Sequence, residues 1–310
     1  MRVSTGMMSS SYLNSLQDNL QRLDKLNKQV NTTKEVTKLS DNPYKAIKIL
    51  NSKSEIKTME TYIENCKDSS DWLDTTDTAL DQLGRVSKDL KQTLVACGDG
   101  TYSDDELKTL SAQVNGYMKE IVNALNTTHG GKYIFSGSET GIPPVEYVEN
   151  ADGSGTIKFN SSINLNKLND SLSTNIAQGI DIDYNVKLSS LGFDHTKTDP
   201  FKDLNNISAK LINPSESDLK ELTTDSLKYV DKFIGDIVNV RSIYGTKANT
   251  VETMKEKNED NLIQLKDVLS QNEEVDYGEK LIKLKEAELT YQASLQTGGK
   301  LFGISILDYI

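Results

Sequence analysis

The sequence predicts a mainly α-helical protein: an elongated rod of long antiparallel coiled-coil-like helices formed by both chain ends, with a small inserted β-rich module. Apolar residues recur at alternating spacings of three and four along a central stretch, and heptads reappear at both termini. Such a repeat keeps one face of a helix turned toward a partner helix. Alternating strand-like patterns are confined to residues 131–204. We therefore expect the two chain ends to pair with each other.

The longest apolar seam follows the predicted helix from Leu227 to Leu269. At about 1.5 Å per residue this helix is roughly 65 Å long, so a helix of similar length must lie beside it. Arg241, Lys255 and Asn258 are the polar interruptions. The apolar positions of the seam are Leu227, Val230, Ile234, Ile237, Tyr244, Ala248, Val251, Leu262, Leu265 and Leu269.

Both chain ends are predicted to form narrow coiled-coil helices, with Asn27 and Glu288 as polar seam positions. The first helix is capped by Ser4 or Thr5, and its pattern stops at Ser40-Asp41-Asn42-Pro43, where proline disfavours a helical backbone at the preceding residue. A helix that buries one narrow stripe gains little alone and more from neighbouring subunits. We therefore predict an assembly interface made of Leu13, Leu16, Leu20, Leu23, Val30, Leu281, Leu284, Tyr291, Leu295 and Phe302.

Two more helices are predicted before the β-rich module. The first begins at Pro43 and keeps helical apolar spacing to about Cys97. Cys66 and Cys97 would lie about 46 Å apart along it, too far for a disulfide, so both are predicted to be small buried apolar residues. Ser103 and Glu106 form a capping box for the second helix, which reaches Leu125.

The β-rich module is predicted to begin at Gly130-Gly131, where the apolar period changes to alternation. Asp152-Gly153 has the composition of a hairpin turn, and Ser215-Glu216-Ser217 is expected to cap the return into the long helix. The predicted strands are Lys132–Ser136, Val145–Val148 and Thr156–Asn160. The predicted domains are terminal assembly helices (1–40 plus 272–310), a long-helix rod domain (41–130 plus 205–271) and the β-rich variable module (131–204).

Composition argues against several classes of function. The formal charge of −11 and the pI near 4.9 disfavour nucleic-acid binding, which needs a basic face. No apolar run has the length of a membrane span, and Met1 to Tyr12 lacks the apolar core of a cleavable signal peptide. We therefore expect neither membrane insertion nor a cleavable signal.

Sequence motifs also argue against catalysis and metal binding. His129 and His195 have no second histidine, cysteine pair or carboxylate at metal-ligand spacing. The run from Asn150 to Gly155 imitates half of a calcium loop, but its flanks are predicted strands. No phosphate loop and no nucleophile with a base can be nominated. The expectation is a protein that is not an enzyme and carries no cofactor or metal.

Seven short motifs occur in the order of a known family. They are Met1-Arg-Val-Ser-Thr-Gly-Met-Met8, Leu39-Ser-Asp-Asn-Pro43, Gly131-Lys-Tyr-Ile-Phe-Ser-Gly137, Arg241 with Gly245 and Asn249, Glu274-Val-Asp276, Tyr291-Gln-Ala-Ser294 and Ile304-Ser-Ile-Leu-Asp-Tyr-Ile310. Together they resemble the flagellin superfamily, and specifically the members that form its hook–filament junction. The run Lys34-Glu35-Val36-Thr37 and Gly278 depart from the family pattern.

The resemblance implies an extracellular structural protein of the bacterial flagellum, exported without a cleavable signal peptide. It implies self-association in a ring, with hook-associated protein 1 on the hook side and flagellin on the filament side. It also implies contact with the flagellar export apparatus and an export chaperone, and no partner among nucleic acids or membranes. The alternatives left open are a flagellin-type filament subunit and a surface coiled-coil adhesin or type III translocator.

Overall fold

A computed structural model describes residues 5–97, 104–194, 199–212 and 215–303, and the chain is mainly helical, as predicted. The α-helices of the described residues are α1 (Thr5–Thr32), α2 (Pro43–Cys97), α3 (Asp104–Leu125), α4 (Lys202–Ile212), α5 (Glu216–Glu221), α6 (Leu227–Glu273) and α7 (Tyr277–Gly303). The strands are β1 (Thr128–His129), β2 (Lys132–Tyr133), β3 (Val145–Glu149), β4 (Gly155–Phe159), β5 (Ser173–Ala177) and β6 (Ile180–Asp183).

The chain forms two compact units, called here the terminal unit (Met1–Glu60 with Asp260–Ile310) and the central unit (Thr61–Glu259). The terminal unit holds α1, α7 and the adjoining ends of α2 and α6. The central unit holds the remainder of α2 and α6 together with the strands. The sequence analysis predicts three domains, with residues 131–204 as a separate β-rich module. These residues lie within the central unit, so their separation from the rod domain stays a prediction.

Helix starts follow the sequence more closely than helix ends. α2 begins at Pro43, as expected for a residue with no amide hydrogen to leave unpaired. α1 ends at Thr32, earlier than the Ser40–Pro43 stop that the sequence predicts, because Thr33 adopts φ 57°. Ser103 of the predicted capping box lies outside the described residues.

The core of the central unit brings α2, α3, α4 and α6 together with the β-rich segment. Its members are apolar and almost wholly removed from water, which is the main source of folding free energy. They include Leu80, Leu83, Leu90, Leu94, Val114, Ile121, Leu125, Phe135, Ile157, Phe201, Ile207 and Ile237. Residues of the strands therefore share one core with the long helices.

Three antiparallel hairpins make up the β-rich segment. In the middle hairpin Val145 pairs with Phe159 and Glu149 with Gly155, and Gly153 occupies the predicted turn with φ 87°. The predicted strand Lys132–Ser136 is wrong beyond Tyr133. Ile134 and Phe135, each 1% exposed, enter the core through a turn, and burial there outweighs strand pairing.

Asparagine amides close both outer edges of the β3–β4 hairpin. Asn126 exchanges two hydrogen bonds with the main chain of Val145, at 2.9 and 3.3 Å. Asn205 on α4 does the same with Ile157, at 2.8 and 3.1 Å. At one residue of each edge, the amide therefore makes the two main-chain hydrogen bonds that a neighbouring strand would make.

Two of the three polar interruptions of the α6 seam, Arg241 and Asn258, have partners outside the helix. Arg241 forms hydrogen bonds to Asp77 at 2.9 Å and to Asp81 at 2.8 Å on α2, and the hydrogen bonds to Asp77 are the main reason its pKa is raised. Asn258 is 3% exposed and donates to the carbonyl of Ile176 at 2.8 Å. Both interruptions therefore fix the neighbours of α6 instead of weakening the seam.

The return into the long helix begins as predicted at Ser215. Its side chain accepts from the amide of Asp218, whose carboxylate accepts from the amide of Ser215, forming a capping box. The helix then passes through a π-helical turn, Leu222–Ser226, before α6 begins.

Candidate assembly interface

The helices at the two chain ends, α1 and α7, pair in antiparallel orientation, as predicted. The hydroxyl of Tyr12 donates to the carbonyl of Ser294 at 2.7 Å, and the amide of Asn19 donates to the hydroxyl of the same residue at 3.2 Å. At the other end Lys280 donates to the side chain of Gln29 at 3.4 Å. Residues near the start of α1 therefore meet residues near the end of α7.

Small residues on α7 allow the close approach of α1. A side chain added at Gly298 would overlap the ring of Tyr12, so this position accepts only glycine without rearrangement. Ala287 is 7% exposed and lies on the same face as Ser294, seven residues along the helix. A glycine inside a helix lowers its stability by about 1 kcal/mol relative to alanine, and here the contact with Tyr12 gives a reason for that cost.

The most enclosed part of the hairpin is the end nearest residues 33–42. Leu26, Gln29 and Val30 are 7%, 4% and 8% exposed. Gln29 donates to the carbonyl of Glu35 at 2.6 Å, so its buried amide has a partner. Toward the start of α1 the described side chains are half-buried or exposed.

The predicted interface residues divide between two faces of this hairpin. Val30 is buried, and Leu16, Leu23, Leu284 and Tyr291 are half-buried; these form the inner face. The outer face consists of Leu13, Leu20, Leu281 and Leu295, which are 52%, 49%, 42% and 46% exposed. Phe302 lies on α7, but its side chain is outside the described residues.

The division arises because the stripe of α1 that contacts α7 follows positions 16, 19, 23, 26 and 30, which alternate in steps of three and four. Leu13 and Leu20 repeat every seven residues as well, but they belong to a different register of the heptad and lie outside this stripe. The sequence analysis missed Leu26 and Ala287 for the same reason. Leu26 follows Leu23 by three residues and Ala287 precedes Tyr291 by four, and this helical spacing is the signal that identifies them.

The two helix breaks of the terminal unit are joined to each other. The amide of Glu35 donates to the carbonyl of Glu273 at 2.7 Å, and the amide of Val275 donates to the carbonyl of Thr33 at 3.2 Å. These bonds make an antiparallel bridge between Lys34 and Glu274. The residues that follow α1 therefore lie beside the residues that precede α7. We call this bridge the joint.

Ion pairs surround the joint. Glu273 is 13% exposed and lies 2.8 Å from both Lys34 and Lys53. Burial alone would raise the pKa of the Glu273 carboxyl, but the hydrogen bonds from the two lysines outweigh it and lower the pKa. Lys280 reaches Glu35 at 3.0 Å. The carboxylate of Glu273 therefore links α2 to the joint.

Neither the cysteines nor a cluster of metal-ligating side chains forms a further site among the described residues. Cys66 and Cys97 are buried free thiols, as predicted, and burial raises the pKa of both. Within the described ranges no three His, Cys, Asp or Glu side chains are grouped to hold a metal ion. None of the described helices combines the length and apolarity needed to cross a bilayer.

Comparison with known proteins adds a matching family region and named relatives. Residues 3–140 match the N-terminal helical region of bacterial flagellin. The chain is 23% identical over 323 residues to flagellar hook-associated protein 3 of Escherichia coli K12, with 99% of both chains aligned. It is 27% identical over 148 residues to the protein of that name from Salmonella typhimurium, where the alignment covers 47% of this chain and 46% of the relative.

Two solved structures share the fold. Flagellar hook-associated protein-3 of Legionella pneumophila has a TM-score of 0.58 at 14% identity, covering 72% of this chain and 98% of that one. A structure described as the flagellar junction protein FlgL from Legionella pneumophila has a TM-score of 0.54 at 14% identity, covering 74% and 100%. These comparisons confirm the resemblance that the sequence motifs indicate.

Proposed function

We propose that this chain, a relative of flagellar hook-associated protein 3 within the flagellin superfamily, is a structural protein of the bacterial flagellum that joins the hook to the filament. The observation that carries the proposal is the pairing of both chain ends in one hairpin that keeps a second apolar face exposed. A surface of this kind marks a site of protein association. The proposed role is mechanical and not catalytic.

The outer face supplies the proposed contact between subunits. Leu13, Leu20, Leu281 and Leu295 are each more than two-fifths exposed, although leucine is among the residues most often buried. Met7, Met8, Ile282 and Leu289 are also more than half exposed on the same two helices. Burial of these side chains against neighbouring subunits would stabilise the assembly by about 25 cal/mol for each Å² of apolar surface removed from water.

The inner face has a different proposed task. Leu16, Leu23, Val30, Leu284 and Tyr291 hold α1 and α7 together within one chain, so that the outer face is presented as a unit. The ten predicted interface residues thus act at two levels, and only the outer set is proposed to contact other subunits directly. Phe302 is retained in the proposed interface on the sequence pattern alone.

The partners proposed are components of the flagellum. Other copies of this chain complete a ring, hook-associated protein 1 binds on the hook side, and flagellin binds on the filament side. The chain is proposed to reach this extracellular position through the flagellar export apparatus, with an export chaperone and without a cleavable signal peptide. The support is the relatives' names and the order of the terminal motifs.

One observation favours a second candidate, a flagellin-type filament subunit. The matched family region is that of bacterial flagellin itself, over residues 3–140. The named relatives that align with this chain are nevertheless hook-associated proteins, and one of those alignments spans 99% of both chains. We therefore prefer the junction role to the filament role.

Position in the cell distinguishes the two candidates. We expect immunogold labelling of the full chain to mark a single band at the distal end of the hook, whereas labelling along the filament would contradict the junction role.

Leu20→Asp and Leu295→Asp should prevent stable incorporation, so that cells release flagellin into the medium. Gln21→Asp, on an exposed neighbouring position of α1, is the matched control and should incorporate normally.

A further inference from the structure

An open cleft of about 350 Å³ lies within the central unit, beside α2. It falls at the lower end of the volume range of small-molecule sites in proteins. Its walls come from three separate parts of the chain: α2, the β1–β2 turn and the β5–β6 hairpin with the residue after it. The lining residues that matter chemically are Asp68, Trp72, His129, Lys132, Thr174 and Tyr184.

Aromatic rings form one side of this cleft. The Trp72 ring meets the His129 ring at 5.7 Å and the Tyr184 ring at 5.4 Å, both edge to face. Trp72 is 6% exposed, and its indole N–H has no hydrogen-bond partner among the described residues. A buried donor without an acceptor costs free energy, so the Trp72 N–H is an unsatisfied group in the wall of the cleft.

One tautomer of neutral His129 satisfies both contacts of its neighbour Thr75. The Thr75 hydroxyl has one hydrogen and lies 2.9 Å from the carbonyl of Asp71, to which it can donate. Thr75 Oγ also lies 2.9 Å from His129 Nδ1, and it accepts there when Nδ1 carries the ring hydrogen. In that tautomer the ring keeps a lone pair on Nε2, which has no partner among the described residues.

The cleft thus combines both kinds of hydrogen-bonding group with an aromatic wall. Asp68 and His129 Nε2 accept, whereas Lys132 donates. Burial, with the nearby charge of Asp68, raises the pKa of Tyr184 and keeps its hydroxyl as a further donor. A ligand with a single charge gains little here, since Asp68 repels an anion that Lys132 attracts and the reverse holds for a cation.

We propose that this cleft binds a saccharide, because a sugar hydroxyl both donates and accepts while the apolar C–H face of the ring packs on aromatic side chains. A hydroxyl of the sugar bridges Asp68 and His129 Nε2. A second hydroxyl oxygen accepts from Lys132. This binding role is separate from assembly through the terminal helices.

Trp72 gives a direct test because it is the only tryptophan of the chain. The full chain is titrated with glucose, galactose, mannose and N-acetylglucosamine while tryptophan emission is followed, and saturation-transfer NMR detects the sugar independently. We expect a saturable change with at least one of these sugars. Asp68→Asn should weaken that binding about tenfold or more, since a hydrogen bond to a charged group is lost.

Matched variants separate binding from folding. Asp74→Asn removes an exposed carboxylate of the same helix outside the cleft and should bind the sugar like the unmodified chain. His129→Ala should weaken binding while circular dichroism shows the same helix content. A methyl glycoside that binds as well as the free sugar indicates recognition of a sugar ring within a longer chain, and loss on methylation indicates a free reducing end.

Two results would overturn the proposal. One is the absence of any saturable signal, in emission and in NMR, with all four sugars. The other is a titration in which Asp68→Asn and Asp74→Asn bind equally well. If arginine amide binds at the cleft and no sugar does, the site recognises a cation and the saccharide assignment is wrong.

Discussion

The side-chain amide of Asn205 makes two hydrogen bonds with the main chain of Ile157, one through its oxygen at 2.8 Å and one through its nitrogen at 3.1 Å. Ile157 is 1% exposed, so its amide and carbonyl cannot turn to water instead. We predict that Asn205→Ala lowers the free energy of unfolding of the central unit by about 2 kcal/mol, because two buried main-chain groups lose their partners. Urea denaturation followed by circular dichroism measures the loss.

The neighbouring asparagine is the control for this prediction. Asn206 is half-buried and has no side-chain hydrogen bond among the described residues. Asn206→Ala should change the free energy of unfolding by less than about 0.5 kcal/mol, as at ordinary surface positions. Equal losses in the two variants would show that α4 tolerates alanine poorly and that the amide does not close the sheet edge.

A second pair of adjacent positions tests the α6 seam. Ile237 is 1% exposed and faces Gly84 of α2, where an added side chain would touch it at 3.7 Å. Val238, the next residue, is 59% exposed. Ile237→Asp should cost several kcal/mol because a carboxylate is buried without a partner, and the central unit should melt at a much lower temperature. Val238→Asp should leave the melting temperature within a few degrees, and similar melting of both variants would contradict the assigned face.

The joint gives a prediction about pH. The two lysines lower the pKa of the Glu273 carboxyl below its ordinary value of 4.5. A carboxyl with a lowered pKa stabilises the folded state above that ordinary value, and the contribution disappears as pH falls through the folded pKa. Since both lysines are about half exposed, we expect Glu273→Gln to cost only about 1 kcal/mol at pH 7.

Hydrogen exchange of the Glu35 and Val275 amides measures this effect at the joint itself. Both should exchange about fivefold faster in Glu273→Gln than in the unmodified chain at pH 7, which corresponds to about 1 kcal/mol. The difference should vanish well below pH 4.5, where Glu273 is protonated in the unmodified chain. Glu274→Gln, at an exposed position, is the control, and a difference that persisted in acid would rule out the ion pairs as its cause.

Local patterns predicted the elements, and distant contacts decided which side chains meet. The heptads identified α1, α2, α6 and α7 because apolar spacing is a property of each helix alone. They did not identify Phe233 and Val240 as buried, since a helix surrounded by several neighbours buries more than one stripe. Ile134 and Phe135 were predicted to extend a strand, but they lie in a turn and are buried in the core.

The sites were harder to predict than the helices for the same physical reason. The joint links residue 35 to residue 273, and the cleft unites Asp68, His129 and Tyr184 from three segments. No local sequence pattern indicates such contacts, because residues that are far apart in the sequence are brought together only by the topology of the whole fold. Asn205 is an example. In the sequence it resembles any polar residue of a helix, and only the fold shows that it lies beside the edge of β4.

The terminal hairpin gives the last prediction. Ordering the backbone of α1 costs about 1–2 kcal/mol for each residue, whereas its wholly buried apolar side chains in the described part are Leu26 and Val30. Both lie near the joint, so the hairpin should be least stable toward the start of α1 and the end of α7. In the purified monomer, limited proteolysis should therefore trim the distal hairpin first and slow markedly near Leu26, while residues 61–259 survive as a resistant fragment.

Substitutions on the two faces sharpen this expectation. Leu26→Asp places an unpaired charge in the most enclosed part of the hairpin and should let trimming continue through the joint. Leu20→Asp lies on the outer face, at 49% exposure, and should leave the cleavage pattern of the monomer unchanged even though it prevents incorporation into the flagellum. Mass spectrometry of the fragments locates each cut. If the distal hairpin resists protease as strongly as the central unit does, the terminal helices are already stable in the monomer, and assembly does not depend on their folding against neighbouring subunits.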